Sequence, residues 1–299
     1  MLAAMSRVTI HDVARAAGVS VATVSKVING RYGVAAGTSE RVQGIIDELG
    51  YESSLVARSL RSHQTHVIGI LVAEFEPFST EILKGASQAI TGTGYELLAY
   101  SGGGHVGGAA GWERRSLSRL SGTLIDGALL VTPTVVEVNG NVPVVAVDPH
   151  TGPTGLPTVD SDNLAGGMAA TEHLLSLGHT RIGFLGGRED LESSRRREEG
   201  FRLAMAAAGV EVDPALVRVG GYKRETSAAP AAELLALAEP PTAIFAANDL
   251  SALGVLDVAA QRGVRVPEDL SVIGFDDVPE AAAATPSLTT VRQPIRAMG

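Results

Sequence analysis

Apolar positions change period once along this chain, and the change divides it. Up to about residue 50 the spacing is helical. Ile10, Val13, Ala14 and Ala17 fall on one face, with Thr9 placed to cap them. Ala17-Gly18-Val19-Ser20 reads as a glycine turn, and Ser20 as the cap of a second helix starting at Val21. Val24, Val27 and Ile28 give that helix its buried face, and Asn29-Gly30 ends it. A third helix is expected over residues 38–49, with Val42, Ile45, Ile46 and Leu49 inward and Gly50 closing it. From residue 66 short apolar runs alternate with helical stretches. Residues 67–72, 96–100, 127–131, 144–147, 181–185, 217–219, 242–246 and 270–274 read as strands. Residues 80–92, 163–177 and 194–208 read as helices. Parallel strands need crossover connections, so this alternation predicts parallel sheets covered by helices. The strands divide naturally into two doubly wound sheets, with Asp160-Ser161-Asp162 as a crossover between them.

Composition narrows the class. With 299 residues, 45% hydrophobic and 19% charged, the chain can bury two or three cores and is too apolar for disorder. Its 35 glycines fit close packing and short turns, or simply genome composition. Having no cysteine, it has no disulfide, no thiolate chemistry and no cysteine-type zinc site. No apolar run approaches the roughly 20 residues of a membrane span. The opening Met1-Leu2-Ala3-Ala4-Met5 is too short for a signal-peptide core. A cytoplasmic protein with no membrane partner is expected. The net charge of −9 hides an asymmetry. Residues 1–65 hold Arg7, Arg15, Lys26, Arg31, Arg41, Arg58 and Arg61 against Asp12, Glu40, Asp47, Glu48 and Glu52, a formal +2 that leaves −11 for the rest. A mildly basic head on an acidic body fits a small nucleic-acid reader joined to a domain with another task.

A helix, a tight turn at Gly18 and a capped second helix make a helix-turn-helix candidate. The second helix turns Val21, Ala22, Ser25, Lys26 and Asn29 outward, short side chains with one cation that let it sit deep in a major groove. Val21 and Ala22 suit thymine methyls, Lys26 a guanine edge or a phosphate, and Ser20, Thr23 or Ser25 phosphates. The alternative is an ordinary three-helix packing unit. Residues 53–62 form a second short helical pattern that exposes Leu60 between Arg58 and Arg61. A leucine so flanked suits a wedge into a minor-groove step; a linker helix with one buried leucine is the other reading.

The string from Val8 to Gly30, VTIHDVARAAGVSVATVSKVING, closely resembles the head signature of the LacI family, the lactose-repressor and purine-repressor type. Ala57-Arg58-Ser59-Leu60 resembles that family's hinge helix. The likeness continues through Thr171-Glu172-His173-Leu174, Gly178-His179-Thr180-Arg181-Ile182, Ala246-Ala247-Asn248-Asp249, the segment from Val266 to Asp277, and Leu288-Thr289-Thr290-Val291-Arg292-Gln293-Pro294. It implies an all-α head and an α/β periplasmic-binding-protein-like core of two parallel-sheet subdomains closing over a small ligand. The implied organisation is a DNA-binding head over 1–52, a hinge and linker over 53–65, one subdomain over 66–162 with 290–299, and another over 163–289. Thr9, Ser20, Val21, Ala22, Thr23, Ser25, Lys26, Asn29, Ala57 and Leu60 are the implied DNA contacts. Phe75, Asp148, Arg197, Tyr222, Asn248 and Asp276 are the implied effector contacts. Except for Arg197 these lie at or just past strand ends, where open α/β sheets bind ligands. Carboxylates, an amide and a guanidinium suit vicinal hydroxyls, and Tyr222 suits a sugar's apolar face. Taken singly, Asp148 or Asp276 reads equally as a loop cap and Tyr222 as surface. The function implied is a sugar-switched repressor that pairs through its core and binds palindromic operator DNA.

A solute-binding protein or an α/β enzyme with a fused helical domain are the rivals. Asp276-Asp277 with His173 or His179 lacks metal-ligand spacing. There is no Walker A string, nucleophile elbow or dinucleotide fingerprint, so no cofactor or metal is expected. The sequence departs from the family pattern at Ala35, where a cap is usual, and at Glu52-Ser53-Ser54, where the hinge helix is entered. The resemblance also implies further chain beyond Gly299, where a new helix begins.

Overall fold

Thr9 and Gly18 fix the two ends of the first helix, α1 (Ile10–Ala17). In the computed structural model, residues 8–28, 30–51, 64–102, 111–134, 142–150 and 155–299 are described. Asn29, Ala57, Leu60 and the hinge helix expected over 53–62 lie outside them. The Asp12 carboxylate accepts from the Thr9 backbone N–H at 3.0 Å and from its hydroxyl at 2.6 Å. Gly18, at φ 62°, turns its N–H back onto the carbonyls of Ala14 and Arg15. α2 (Val21–Ile28) starts where the Ser20 hydroxyl accepts the Thr23 N–H at 3.1 Å. Val13, Ala14, Ala17, Val24 and Val42 close the head's core. α3 (Ala36–Leu49) begins two residues before the expected position. Ala35 has no side-chain cap to offer, and its carbonyl alone takes the N–H groups of Thr38 and Ser39 at 2.9 and 3.0 Å.

Head and core are separate units, Met1–Thr65 and His66–Gly299. The core holds two five-stranded sheets, each strand pair parallel. The first contains β1 (Val67–Val72), β2 (Glu96–Ser101), β3 (Gly127–Val131), β4 (Val144–Val147) and β5 (Thr158–Val159) in the order β2-β1-β3-β4-β5. The second contains β6 (Ile182–Gly186), β7 (Val217–Val219), β8 (Ala243–Ala246), β9 (Ser271–Asp276) and β10 (Thr289–Arg292) in the order β10-β9-β8-β6-β7. That is the same winding repeated, and each sheet's strand order reverses beside its first strand. The reversal opens a crevice at the carboxyl ends of the strands.

The edge strands β5 and β10 were not anticipated. Both residues of β5 are exposed, and Thr289-Thr290-Val291-Arg292 has no apolar run. Residues 290–292, expected in the first subdomain, therefore lie in the second sheet, paired with β9. The chain crosses back at Gln293-Pro294, and α11 (Ile295–Met298) then buries Ile295 and Met298 in the first sheet's core.

Helices α4 (Pro77–Ile90) and α5 (Trp112–Leu120) accompany the first sheet. With the second go α6 (Asn163–Ser176), α7 (Glu192–Ala207), α8 (Arg224–Leu235), α9 (Asp249–Gln261) and the short α10 (Pro279–Ala283). Phe184 stacks on Phe201 at 5.1 Å and meets Phe245 edge-on at 5.3 Å, which anchors α7 to β6 and β8. The α6–α7 crossing is close: a Cβ on Gly167 would lie 2.5 Å from the carbonyl oxygen of Arg197. Glycine at that position sets how near α7 approaches, and so where Arg197 enters the site.

Candidate functional site

The carboxyl ends of the two sheets enclose a cavity of about 190 Å³. The loops after β1, β3 and β4 supply Glu74, Glu76, Thr132, Asp148 and His150. Those after β6, β7 and β8 supply Arg188, Tyr222, Lys223 and Asn248, while Asp276 ends β9 and Arg197 reaches in from α7. Thr132, Asp148, Tyr222 and Asp276 all have left-handed backbones, at φ 47°, 48°, 66° and 121°. Such conformations are costly for residues with a Cβ and persist where the surroundings impose them. Here they turn four polar side chains onto one space. The Tyr222 ring occupies the room a side chain at position 187 would need: a Cβ on Gly187 would fall 2.4 Å from it.

Arg197 is the centre of the charge arrangement. Its Nε donates to Asn163 Oδ1 at 2.9 Å and its Nη1 to the Ala247 carbonyl at 2.5 Å. Nη1 lies 3.6 Å from Asp276 Oδ1, both side chains being almost wholly buried. The guanidinium rests 3.8 Å from the Phe275 ring centroid and 5.6 Å from that of Tyr222. Gln293 Nε2 donates to Asp276 Oδ1 at 2.5 Å. Burial, aided by Asp249 and Asp148, outweighs Arg197 and Gln293 and pushes the Asp276 carboxyl up to about 7. Burial likewise raises Asp148 against the pull of Arg197, and raises Glu76 against that of Lys223. His150 is held neutral, its imidazole pushed down to about 4 by burial and by Arg188.

Of the residues singled out from the sequence, Asp148, Arg197, Tyr222, Asn248 and Asp276 come together in this cavity. Phe75 does not. Phe75 is 54% exposed, and Phe78, in the first turn of α4, lines the cavity in its place. Asn248 is already engaged: Oδ1 accepts the Ser251 N–H at 2.9 Å, capping α9, and Nδ2 donates to the Tyr222 carbonyl at 3.1 Å. It therefore holds Tyr222 in place as much as it offers itself. Sequence reasoning missed Asn163, Lys223, His150 and Gln293. Lys223 was signalled only by its adjacency to Tyr222, and Gln293 only by its place in the crossover. The arrangement offers a ligand carboxylates, an amide, a phenol and cationic donors at close quarters, which suits a small polyhydroxylated molecule. Among the described residues no group of His, Asp and Glu is arranged to hold a metal ion.

On the head, Ala22 and Lys26 stand exposed on α2. Val21, Thr23 and Ser25 are half-buried, and Val21 packs against the head core, so its methyls face outward only in part. Thr9 and Ser20 are exposed, but each hydroxyl already serves a helix start, Thr9 through Asp12 and Ser20 through Thr23. The face that α2 presents is thus short-chained with a cation at Lys26. Among the described residues no helix is long and apolar enough to cross a membrane.

Two family models match parts of the chain. Residues 9–54 match the lacI family of bacterial regulatory proteins, and residues 171–299 match a periplasmic binding protein-like domain. The HTH-type transcriptional repressor PurR of Photobacterium profundum is 37% identical over 302 residues, covering 97% of this chain and 88% of that one. The HTH-type transcriptional regulator CelR of Thermobifida fusca is 37% identical over 313 residues, covering 98% and 89%. Among solved structures, the CelR–cellobiose complex aligns at a TM-score of 0.69 with 34% identity, over 98% of this chain and 90% of that one. The lac repressor dimer bound to operator and the anti-inducer ONPF aligns at 0.81 with 26% identity, over 97% and 89%. With a helix-turn-helix head, a two-sheet core and relatives of this identity along nearly its whole length, the chain belongs to the lacI family of bacterial regulatory proteins.

Proposed function

We propose that this protein is a cytoplasmic transcriptional repressor, not an enzyme, that pairs through its core and binds palindromic operator DNA. Its operator affinity is switched by a neutral sugar held in the cavity between the two sheets. The head over residues 1–52 reads the DNA, residues 53–65 form the hinge, and Leu60 serves as a minor-groove wedge. The observation that carries the reading is the convergence of Thr132, Asp148, Tyr222 and Asp276, each on a left-handed backbone, around one cavity that Arg197 closes. Both signs of charge line that cavity, with no excess of cations to attract an anion, so a polyol is the ligand class that fits. The cavity is smaller than the roughly 300–1,000 Å³ of drug-sized sites. A monosaccharide, or one ring of a disaccharide, is the expected occupant. That the CelR structure holds cellobiose supports the same class.

A thermal-shift panel of glucose, ribose, galactose, cellobiose and the nucleobases tests the ligand class, and anisotropy on a palindromic duplex tests the switch. A sugar should raise the unfolding midpoint and change operator affinity. Stabilisation by a nucleobase alone would replace the sugar reading, and sugar binding with no effect on DNA would leave a solute-binding protein.

A further inference from the structure

Asn163 is the first residue of α6, directly after the crossover Asp160-Ser161-Asp162. It is buried, and it is not among the residues that line the cavity. Gly167, one turn further on, shares its face of the helix, and both meet Arg197. Gly167 meets the Arg197 backbone, and Gly200 of α7 makes the matching approach: a Cβ there would lie 2.3 Å from the Leu164 carbonyl oxygen. With the two helices this close, Asn163 reaches the Arg197 side chain, and its Oδ1 accepts from Nε at 2.9 Å. Its Nδ2 donates to the Ser161 carbonyl at 3.2 Å, and its backbone N–H to the same carbonyl at 2.9 Å. Only one orientation of the amide satisfies both ends, because a guanidinium has no acceptor and a carbonyl has no donor.

We propose that Asn163 is a positioning residue for the effector site: without touching the sugar, it fixes the orientation of the Arg197 guanidinium and ties that orientation to the first crossover. The inference rests on the cavity being a sugar site and deepens that reading. A guanidinium is planar, so contacts at two different nitrogens set how it lies. Nη1 is held by the Ala247 carbonyl, just past β8, and Nε by Asn163. With Nε released, the group is free to turn about its other contact, and the 3.6 Å approach of Nη1 to Asp276 Oδ1 is no longer fixed. The same amide also serves the first sheet. Burial raises the Asp148 carboxyl and Asp160 adds to that, while Arg197 and the Asn163 amide pull it back. One amide thus steadies polar groups that reach the cavity from both sheets.

The test uses the full chain as wild type, Asn163→Ala and Asn163→Asp, with glucose and cellobiose as probes. Calorimetry gives sugar affinity, and proton–nitrogen correlation spectra tuned to arginine side chains follow the Arg197 Nε–H. That resonance is identified by its loss in Arg197→Lys. In wild type it should exchange slowly with water, and exchange as fast as that of exposed arginines would overturn the inference before any variant is made. Asn163→Ala, once a cooperative unfolding transition shows it folded, should bind the wild type's sugar at least about tenfold more weakly, the loss expected for a hydrogen bond to a charged group. Its Nε–H signal should shift and exchange faster. Asn163→Asp keeps the acceptor, so its Nε–H should stay protected. Sugar binding at wild-type strength in Asn163→Ala would overturn the inference and leave the sugar site standing. An unchanged Nε–H signal in that variant would overturn it too, whatever the affinity. If wild type binds neither sugar, the sugar reading falls by itself, and the Nε–H signal still decides whether Asn163 holds the guanidinium.

Discussion

Lys223 Nζ lies 2.6 Å from Glu74 Oε2, joining the loop after β7 to the loop after β1 across the mouth of the cavity. The two side chains are 44% and 54% exposed, so the pair sits in solvent and is screened. Exposed pairs of this kind are worth about 0.2–1 kcal/mol. Glu74→Gln should therefore leave the unfolding midpoint nearly unchanged. It should speed release of a bound sugar by up to about fivefold, the rate equivalent of 1 kcal/mol. Stopped-flow displacement gives the rate, and 0.5 M salt should do the same to wild type. Identical release in low and high salt would mean that the pair does not hold the mouth closed.

Arg197 has a different standing, because it is buried with its carboxylate partner. Removing one member of a buried pair leaves the other uncompensated and costs about 3–5 kcal/mol. Arg197→Met also frees Asn163 Oδ1 and the Ala247 carbonyl. The variant should melt roughly 10 °C lower, at about 2–4 °C per kcal/mol for a domain of this size. It should bind no sugar while still binding operator. Differential scanning calorimetry and calorimetric titration read the two effects separately, and sugar binding at wild-type strength would remove Arg197 from the site.

Acidity gives a third handle. The Asp276 carboxyl titrates near 7 in the folded protein against an ordinary value of 3.8, with Arg197, Asp148 and Asp249 facing it. The native state therefore binds more protons than the unfolded chain between about pH 4 and pH 7. Its stability falls as pH rises through that window, by at most about 1.4 kcal/mol per pH unit for one group, and levels off above it. Asp249, raised to about 6 by burial, acts in the same direction. A sugar hydroxyl that donates to ionised Asp276 favours loss of the proton, so sugar affinity should climb from pH 5.5 to pH 8. Asp276→Asn should flatten both profiles. Parallel pH profiles of midpoint and affinity for wild type and variant check the sign, and an affinity that falls with rising pH contradicts it.

The head's turn, its caps and eight of the strands were readable because each is local: a glycine between two apolar faces, or a short apolar run between helical stretches. β10 was not, because its Thr-Thr-Val-Arg sequence packs only through the pairing with β9. The family resemblance implies an effector contact at Phe75, just past β1. Pro77 then starts α4, which turns Phe78 inward and leaves Phe75 outside. Partners distant in sequence, such as Lys223 with Glu74 or Arg197 with Asn163, leave no periodic trace. They become visible only when the two sheets bring their loops together.

On the head, Lys26 is the cation that α2 exposes beside Ala22. If it meets a guanine edge, Lys26→Ala should weaken operator binding by about 1–3 kcal/mol and relax the preference at one base pair. If it meets only a phosphate, the loss should be uniform across sequences and the salt slope shallower by about one unit. Fluorescence anisotropy on a palindromic duplex and its single-base variants, at several salt concentrations, separates the two. Unchanged affinity on every duplex would take Lys26 out of the interface.

The switch should run through Gln293. This side chain lies in the return crossover, where its Nε2 donates to Asp276 at the cavity and its Oε1 pairs with the Ser161 hydroxyl in the first crossover. The Asp276 carboxylate, which lines the cavity, is thereby tied to both connections between the subdomains. A sugar that draws on Asp276 competes for the same oxygen, and a shift in Gln293 is felt at Ser161. Gln293→Leu should therefore bind operator as wild type does, and should lose most of the sugar's effect on that binding. Couplings of this kind are typically about 1–3 kcal/mol, or roughly 5- to 150-fold in affinity. Linkage fixes a second quantity: operator DNA must weaken sugar binding by the factor by which sugar weakens operator binding. Four affinities measured on wild type and on the variant, each ligand with and without the other saturating, give both factors. Equal factors of at least fivefold in wild type, collapsing toward one in Gln293→Leu, are the expected outcome. A variant that keeps the full coupling would place the relay elsewhere. If sugar tightens operator binding in wild type, the ligand is a corepressor, and the crossovers are held rather than released when the cavity fills.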